Sequence, residues 1–273
     1  MIKKVAFIGA GSMAEAIISG IIAKGYLQPE QIYALNKSNL DRLDYLSSTY
    51  GIQCSQDKQE VIIGADIIVL AMKPKDIDAA LIDMKSFLNK NQLLVSVLAG
   101  VPAQYFTDVL EMDMAVIRTM PNTSAMVSQS ATAIAAGRYA TDAHVEQVVS
   151  LLQSIGTTVV VEEEELHMIT AIAGSGPAYF YYIVDAMEKT AIKAGLDQTV
   201  AKDLLAQTIL GAAEMLKSTN DSPNTLIDNI TSPGGTTEVG LEVLARHKVE
   251  DIMDECVKQA AKRSVELGNK FIK

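Results

Sequence analysis

The feature that most constrains the fold is the alternation of short apolar runs with helical segments through residues 1–162. Several of these runs, among them VAFIGA, DIIVLAM and LLVSVLAG, are apolar at nearly every position rather than at every second one. Continuous apolar strands joined by helices are typical of a parallel sheet that helices cover on both faces. We therefore predict an α/β fold whose N-terminal domain, residues 1–162, is a doubly wound parallel sheet.

The strand pattern does not return after residue 162, and apolar residues recur at helical spacing to the C-terminus. Cap signals at Asp197 and at Ser222 divide this part into several helices. We predict a second, all-helical domain over residues 163–273. Its helices from Pro177 to Leu216 are apolar around most of their circumference. Either a second copy of the chain covers them, or they form a tight monomeric core.

A glycine pattern, G-x-G-x-x-A, follows the first predicted strand directly as Gly9-Ala10-Gly11-Ser12-Met13-Ala14. In a Rossmann-type domain the first glycine allows a tight turn and the second lets a pyrophosphate approach the backbone. The third small residue lets the helix pack closely on the strand. Glycines can also serve a turn alone, but the position in the first strand-to-helix connection favours dinucleotide binding.

The second predicted strand ends at Asn36-Lys37-Ser38, where NAD enzymes place an acidic residue that holds the ribose 2′-hydroxyl. No carboxylate stands at these three positions to repel a 2′-phosphate. A lysine between two neutral hydrogen-bonding side chains favours NADP, while a plain solvated turn is the alternative. The strand DIIVLAM ends at Ala71-Met72-Lys73-Pro74, on the same sheet edge, which predicts backbone contact with the cofactor unless Lys73 is an ordinary surface lysine.

Two further segments in the helical part have the composition of anion sites. Gly174-Ser175-Gly176-Pro177 interrupts one predicted helix and starts another, and a helix start presents free N–H groups to an anion. Ser232-Pro233-Gly234-Gly235-Thr236-Thr237 places a glycine pair and two hydroxyls before another helix. The alternative for the first segment is a helix break with no ligand.

The charge and the cysteine and histidine content exclude several classes of function. The formal net charge of −10 argues against a nucleic-acid partner or an anionic membrane surface, and no apolar run has the ~18 to 20 residues of a membrane span. Cys54 and Cys256 form neither a disulfide framework nor a metal motif, which is typical of the cytoplasm. His144, His167 and His247 have no metal-ligand spacing, so we expect no metal site.

Six segments together resemble the pyrroline-5-carboxylate reductase family in order and spacing: FIGAGSMAEA, LAMKP, SVLAGV, RTMPNT, AGSGPAY and TSPGGTT. The resemblance covers essentially the whole chain, and SPGGTT is its most specific part. It implies a dinucleotide domain followed by a helical dimerisation domain that interleaves with a partner's, often with dimers assembled into a ring. Two departures are Met72, where valine is common, and Glu238, where an apolar residue is usual.

The resemblance also implies the site residues. The expected cofactor contacts are Ile8, Gly9, Ala10, Gly11, Ser12, Met13, Asn36, Lys37, Ser38, Ala71, Met72, Lys73, Pro74, Val97, Leu98, Ala99, Asn122 and Asn229. The expected substrate contacts are Glu163, Ser175, Gly176, Ser232, Gly234, Gly235, Thr236 and Thr237. Thr237 corresponds to the family's threonine that meets the ring nitrogen, and it is the expected catalytic residue. Because Glu238 is unusual, the first turn of the helix that carries it stays an open question.

The activity implied is reduction of 1-pyrroline-5-carboxylate to L-proline by NADPH, or more weakly by NADH, as the final step of proline biosynthesis. Once the ring nitrogen of the C=N bond is protonated, its carbon is already electrophilic. The lack of an evident His or Lys catalyst is therefore expected. Two alternatives stay open from the sequence. β-Hydroxyacid dehydrogenases carry a catalytic lysine with an asparagine four residues later, and Lys85 and Asn89 are such a pair in the wrong domain. The other alternative is a non-catalytic NADP-binding sensor.

Overall fold

The computed structural model describes residues 2–271. Their contacts divide them into two compact units. The sheet unit comprises the chain up to Pro177 together with the segment from Lys258 onward, and the helical unit comprises Ala178–Val257. The predicted division at residue 162 stays a prediction.

An eight-stranded sheet forms the centre of the sheet unit, in the order β3-β2-β1-β4-β5-β6-β7-β8. The strands are β1 (Val5–Ile8), β2 (Ile32–Leu35), β3 (Gln53–Ser55), β4 (Ile67–Leu70), β5 (Leu93–Ser96), β6 (Ala115–Met120), β7 (Ser130–Ala136) and β8 (Gly156–Val160). The strand order reverses at β1, which is the switch point of a doubly wound fold. The predicted fold class is confirmed.

Two features of the sheet differ from the sequence prediction. The edge strand β3 was not predicted, because three residues are too few to show an apolar pattern. β7 runs antiparallel to β6, with Thr119 opposite Ile134, whereas a wholly parallel sheet was expected. β6 and β7 are joined by a short connection without a full crossover helix, so the chain reverses instead of crossing over.

Helices cover both faces of the sheet and continue alone through the helical unit. They are α1 (Ser12–Ala23), α2 (Leu40–Tyr50), α3 (Lys58–Ile62), α4 (Ile77–Met84), α5 (Ala103–Leu110), α6 (Asp142–Leu152), α7 (Leu166–Ile169), α8 (Gly176–Lys193), α9 (Gln198–Ser218), α10 (Pro223–Asn229), α11 (Thr236–Arg246) and α12 (Val249–Gly268).

The apolar run of strand β1 is explained by burial on both faces of the sheet. Val5 and Phe7 pack in one core, and Ala6 and Ile8 pack in the other.

The predicted helix starts in the helical unit are confirmed. The Asp197 carboxylate accepts hydrogen bonds from the N–H groups of Thr199 and Val200 at the start of α9. The Ser222 hydroxyl accepts one from the Thr225 N–H at the start of α10. Near Gly174 the structure differs from the plain helix break that was expected, because residues 170–174 form a π-helical turn between α7 and α8.

The helical unit has almost no core of its own. Within Ala178–Val257, all of which is described, Ala201 is the single buried apolar residue. Large apolar side chains are exposed instead, with Tyr182 at 78%, Leu210 at 54% and Ile230 at 70% of their full accessible area. Exposed apolar area on this scale is unfavourable in water. No helix in the described part of the chain has the length and apolarity to cross a membrane.

Candidate functional site

A cavity of about 770 Å³ lies at the carboxyl edge of the sheet, where β1, β2 and β4 end. Ligands of open α/β sheets bind at this edge because parallel strands present their chain ends together there. The volume is in the range of small-molecule and cofactor pockets. The cavity is therefore the leading candidate for the dinucleotide site.

Gly9 closes the turn between β1 and α1, and any other residue at this position would require the neighbouring backbone to shift. Its φ of +105° is a backbone conformation that L side chains rarely adopt. A Cβ at this position would lie 2.7 Å from the carbonyl carbon of Ala71 and 2.8 Å from the Met72 nitrogen. The Gly9 N–H donates to the Leu35 oxygen at 3.0 Å, so the turn also ties β1 to β2.

The start of α1 fits a pyrophosphate. The residue before the helix is Gly11, and no side chain caps the first turn. A Cβ at Gly11 would have only the Ala71 oxygen nearby, at 4.0 Å, so the glycine leaves open space beside the helix N-terminus. Free backbone N–H groups and the helix dipole both favour an anion in such a space.

A partly buried ion-pair network holds this glycine turn in place. The Arg42 Nε donates to the Ala10 oxygen at 2.7 Å, and its guanidinium forms an ion pair with Glu15 on α1. The Tyr45 and Tyr50 hydroxyls also donate to Glu15, at 3.1 and 3.0 Å. Burial by itself raises the pKa of Glu15, but the hydrogen bonds from Arg42 and Tyr50 outweigh it and the net pKa is lowered. Glu15 therefore stays ionised at neutral pH.

The loop after β2 forms the other end of the cavity. The Asn36 Oδ1 accepts hydrogen bonds from the N–H groups of Ser38 and Asn39, at 3.2 and 3.1 Å. This turn leaves the Lys37 side chain exposed at the cavity wall. Asn36, Lys37 and Ser38 all line the cavity, and no acidic side chain follows β2 directly, so the 2′-phosphate position stays a prediction for this loop.

Most of the predicted cofactor residues meet in this cavity. Those that line it are Ile8, Gly9, Ala10, Gly11, Ser12, Met13, Asn36, Lys37, Ser38, Ala71, Met72 and Lys73. Pro74 begins a short 3-10 turn next to it without lining it. Lining residues that sequence reasoning missed include Lys58, Lys75, Asp76 and Asp83, which lie on or beside α3 and α4. Because β3 was not predicted, nothing in the sequence indicated that Lys58 lies at this edge of the sheet.

A second, smaller cavity of about 260 Å³ brings together two further predicted residues. Ala99, which follows β5, and Ser175, which follows the π-helical turn, both line it. The other lining residues are Gly100, Thr170, Ala260, Arg263, Ser264 and Leu267. The Ser175 N–H donates to the Thr170 oxygen at 2.8 Å, so this N–H is not a free helix-start donor as the sequence suggested. Val97 and Leu98 precede Ala99 on the same strand end, and Leu98 is buried.

Glu163 forms an ion pair with Arg118, a residue that sequence reasoning missed. One Glu163 oxygen accepts from Arg118 Nη1 at 2.8 Å and from the Ala103 N–H at 2.7 Å. The Arg118 side chain is 6% exposed, and its buried Nε has no hydrogen-bond partner in the described structure. Glu163 therefore compensates a buried charge on β6, whatever its role toward the substrate.

Asn122 connects β6 to the π-helical turn. Its side-chain nitrogen donates to the Ala173 oxygen at 3.0 Å, and its Oδ1 accepts from the Ser124 N–H. Its side chain is thus already engaged, and it lines neither of the two cavities. Asn229 is the last residue of α10, in the helical unit. Gly176 is buried at the start of α8.

The SPGGTT loop, residues 232–237, leads into α11 within the helical unit. Gly234 has a φ of +73°, and α11 begins at Thr236 with Thr237 in its first turn. The Glu238 carboxylate accepts a hydrogen bond from the Gly234 N–H at 2.6 Å. The helix start is therefore well formed despite the unusual glutamate. The Gly234 N–H, however, already donates to the Glu238 side chain in the first turn of α11.

Metal chemistry has no geometric support within residues 2–271. The described His, Cys, Asp and Glu side chains include no group of three that could hold a metal ion. The main cavity is lined instead by backbone donors, lysines, serines and two carboxylates, Asp76 and Asp83.

Two protein-family models match the chain. One, described as pyrroline-5-carboxylate reductase dimerisation, matches residues 163–267. The other, described as NADP oxidoreductase coenzyme F420-dependent, matches residues 4–100. Together they cover the cavity with the glycine turn and the helices with exposed apolar surface.

Named relatives and solved structures agree with these models. The chain is 44% identical to pyrroline-5-carboxylate reductase 1 of Bacillus spizizenii, over 98% of this chain and 90% of the relative. It is 45% identical to pyrroline-5-carboxylate reductase 2 of Bacillus subtilis, over 98% and 96%. The Coxiella burnetii pyrroline-5-carboxylate reductase structure is 33% identical, with a TM-score of 0.90 over 98% and 99% of the two chains. The Plasmodium falciparum enzyme, solved with NADP bound, is 27% identical, with a TM-score of 0.89 over 98% and 100%.

Proposed function

The chain belongs to the pyrroline-5-carboxylate reductase family, and from this membership together with the cofactor cavity we infer that it reduces 1-pyrroline-5-carboxylate to L-proline with NADPH. This is the final step of proline biosynthesis. The observation that carries the inference is the glycine turn, whose open N-terminal space fits a pyrophosphate, in a chain 44–45% identical to named reductases. The family resemblance that the sequence motifs indicated is thereby confirmed.

The reaction requires little from the protein beyond binding and orientation of the substrate and the cofactor. When bound, NADPH would supply the hydride for the carbon of the substrate's protonated C=N bond. The α1 N-terminus and the β1 turn would hold its pyrophosphate, and the loop after β2 would hold its 2′-phosphate. Orientation of two reactants can supply ~7 to 11 kcal/mol of the barrier reduction. No strong acid or nucleophile is needed, in keeping with a site of backbone donors and hydroxyls.

A turnover assay tests this function against its alternatives. Purified protein with 1-pyrroline-5-carboxylate and NADPH should consume NADPH and form proline. Turnover of a β-hydroxyacid, or cofactor binding without turnover of any imino acid, would overturn the proposal. The structure does not favour the dehydrogenase alternative, because Lys85 forms an ion pair with Glu111 in the sheet unit, outside both cavities.

We propose that Lys37 is a main determinant of NADPH preference. In Lys37→Asp, the new carboxylate should repel the 2′-phosphate and suit a ribose hydroxyl instead. Loss of a charged hydrogen bond should weaken NADPH relative to NADH by ~1.5 to 3 kcal/mol, or about one to two decades in kcat/KM. The matched control is Lys90→Asp, the same charge change at an exposed lysine outside the cavity. Equal losses for both cofactors would remove Lys37 from this role.

We propose that Thr237 orients the imine nitrogen of the substrate. Its place in the first turn of α11 holds the hydroxyl on a rigid element. Thr237→Ala should lower kcat/KM for the imino acid about tenfold or more, as expected for a lost hydrogen bond to a charged group of ~1.5 to 3 kcal/mol. NADPH binding should change little, and Thr237→Ser should recover most of the activity. Equal damage from alanine and serine would indicate packing rather than hydrogen bonding.

The substrate carboxylate is proposed to bind the SPGGTT loop through donors other than the N–H groups of Gly234 and Gly235, because the Gly235 N–H already donates to the Ser232 oxygen at 2.9 Å. The proposed substrate contacts stay those that the family resemblance implies: Ser232, Gly234, Gly235, Thr236, Glu163, Ser175 and Gly176. The backbone N–H groups of the first α11 turn support this assignment, because a helix start favours a carboxylate.

The helical unit makes the protein a homo-oligomer. Its match to a dimerisation family and its near-absent core both support a partner surface. Further assembly of dimers into a ring is a proposal, as is a domain division at residue 162, where the dimerisation match also begins. Free Cys54 and Cys256 support a cytoplasmic location, which we propose on this ground.

A further inference from the structure

We propose that Lys58 is a second cation for the 2′-phosphate of NADPH, and that Asp83 holds it at the cavity wall until the phosphate replaces Asp83 as its partner. This inference rests on the proposed function and extends it to a specificity residue that no sequence motif indicated. Both side chains line the 770 Å³ cavity.

The sheet register places Lys58 next to the 2′-phosphate loop. β2 and β3 are parallel neighbours, and Leu35 at the end of one pairs with Ser55 at the end of the other. Lys37 lies two residues past Leu35, and Lys58 lies three residues past Ser55. Because chain ends of adjacent parallel strands meet at one edge, both lysines reach the same end of the cavity.

A direct hydrogen bond ties the two loops together. The Gln56 side-chain nitrogen donates to the Lys37 oxygen at 3.0 Å. The segment that carries Lys58 is therefore anchored on the loop that carries Lys37. The short edge strand β3 thus has a functional consequence, since it brings a second lysine to a loop on another strand.

The charges around Asp83 show what kind of group this corner accommodates. Lys58 Nζ lies 2.8 Å from Asp83 Oδ2. The hydrogen bond and charge of Lys58 lower the pKa of Asp83, and the charge of Lys37 adds to the effect. Two lysines thus act on a single carboxylate. A dianionic phosphate at the same place would interact with both more strongly than a carboxylate does.

Exchange of partners is energetically easy at this position. The Lys58 and Asp83 side chains are 33% and 40% exposed. Partly exposed ion pairs contribute little to stability, so release of Asp83 costs little folding free energy. The alternative is that the pair only ties α3 to α4, with no ligand involved.

Binding of cofactor fragments by calorimetry separates these two explanations without relying on turnover. 2′,5′-ADP carries the 2′-phosphate and 5′-AMP lacks it. Lys58→Met should weaken 2′,5′-ADP binding about tenfold and leave 5′-AMP binding within about twofold, as for loss of a charge-assisted contact. Asp83→Asn breaks the same ion pair but keeps the lysine, so it should bind 2′,5′-ADP at least as tightly as the natural protein.

The controls make each outcome decisive. Lys85→Met removes a lysine from an ion pair outside the cavity and should change neither fragment's affinity. The inference is overturned if Lys58→Met binds 2′,5′-ADP normally, or if Asp83→Asn weakens it as much as Lys58→Met does. The second result would assign the pair to helix packing. Failure of the proposed function would instead appear as absent imino-acid turnover in the natural protein while fragment binding persists.

Discussion

Gly9→Ala should abolish NADPH binding and destabilise the sheet unit. The substitution adds two penalties. The φ of +105° strains any L side chain by ~1 to 3 kcal/mol, and the Cβ would meet backbone atoms of Ala71 and Met72 at 2.7 to 2.8 Å. Overpacking against backbone costs a further ~1 to 3 kcal/mol. Because β1 and β4 must separate to relieve the contact, the pyrophosphate turn loses its geometry.

Gly64→Ala is the matched control for this effect. Gly64 also has a positive φ, of +75°, but a Cβ there would meet nothing within 4 Å. The Gly64→Ala variant should therefore lose only ~1 to 2 kcal/mol of unfolding free energy, because alanine must adopt the left-handed conformation, and it should bind NADPH normally. Urea unfolding and a fluorescence titration with NADPH measure both quantities. Similar losses in the two variants would show that the approach of β4 to the glycine turn is unimportant.

Dilution should reveal no active, folded monomer, and this is the second large effect. A helical unit with Ala201 as its single buried apolar residue cannot offset its conformational entropy alone. Sedimentation equilibrium at sub-micromolar concentration, combined with the turnover assay, measures this directly. A stable monomer with full activity would contradict the assignment of these helices to an interface.

A pair of charge substitutions locates the interface. Leu210→Glu on α9 should dissociate or unfold the protein and remove most activity, because it buries an unpaired carboxylate against the partner. Ile63→Glu makes the same change at a residue of the sheet unit with similar exposure, 50% against 54%. It should leave the oligomer and its activity intact. If both variants behave alike, the exposed apolar face of α9 is not the covered one.

Several parts of the site could be predicted from the sequence because they depend on local chemistry. Gly9 and Gly11 were identified from spacing, and they line the cavity where a pyrophosphate fits. Asn36, Lys37 and Ser38 were identified as the end of the second strand, and they line the same cavity. The helix starts at Asp197 and Ser222 followed from capping rules, which involve neighbours within four residues.

Other parts depend on contacts between distant residues. The partners Lys58 and Asp83 are 25 positions apart and lie on different helices, and Arg118 and Glu163 are 45 positions apart. In neither pair does the local sequence around one residue indicate which residue is its partner. The π-helical turn at residues 170–174 was also missed, because glycine and proline indicate where a helix is interrupted, here at the bend of Ser175, but not the form of the turn before it.

The sequence by itself determined the alternating fold and the glycine turn, because periodicity, glycine spacing and capping are local properties of the chain, and the resemblance of six motifs indicated the family. Only the tertiary structure decided the antiparallel β7, the edge strand β3 and the lysine that β3 brings to the cofactor cavity. Strand pairing and ion pairing across the sheet bring together residues far apart in sequence, and their free energy arises only when the fold brings them into contact.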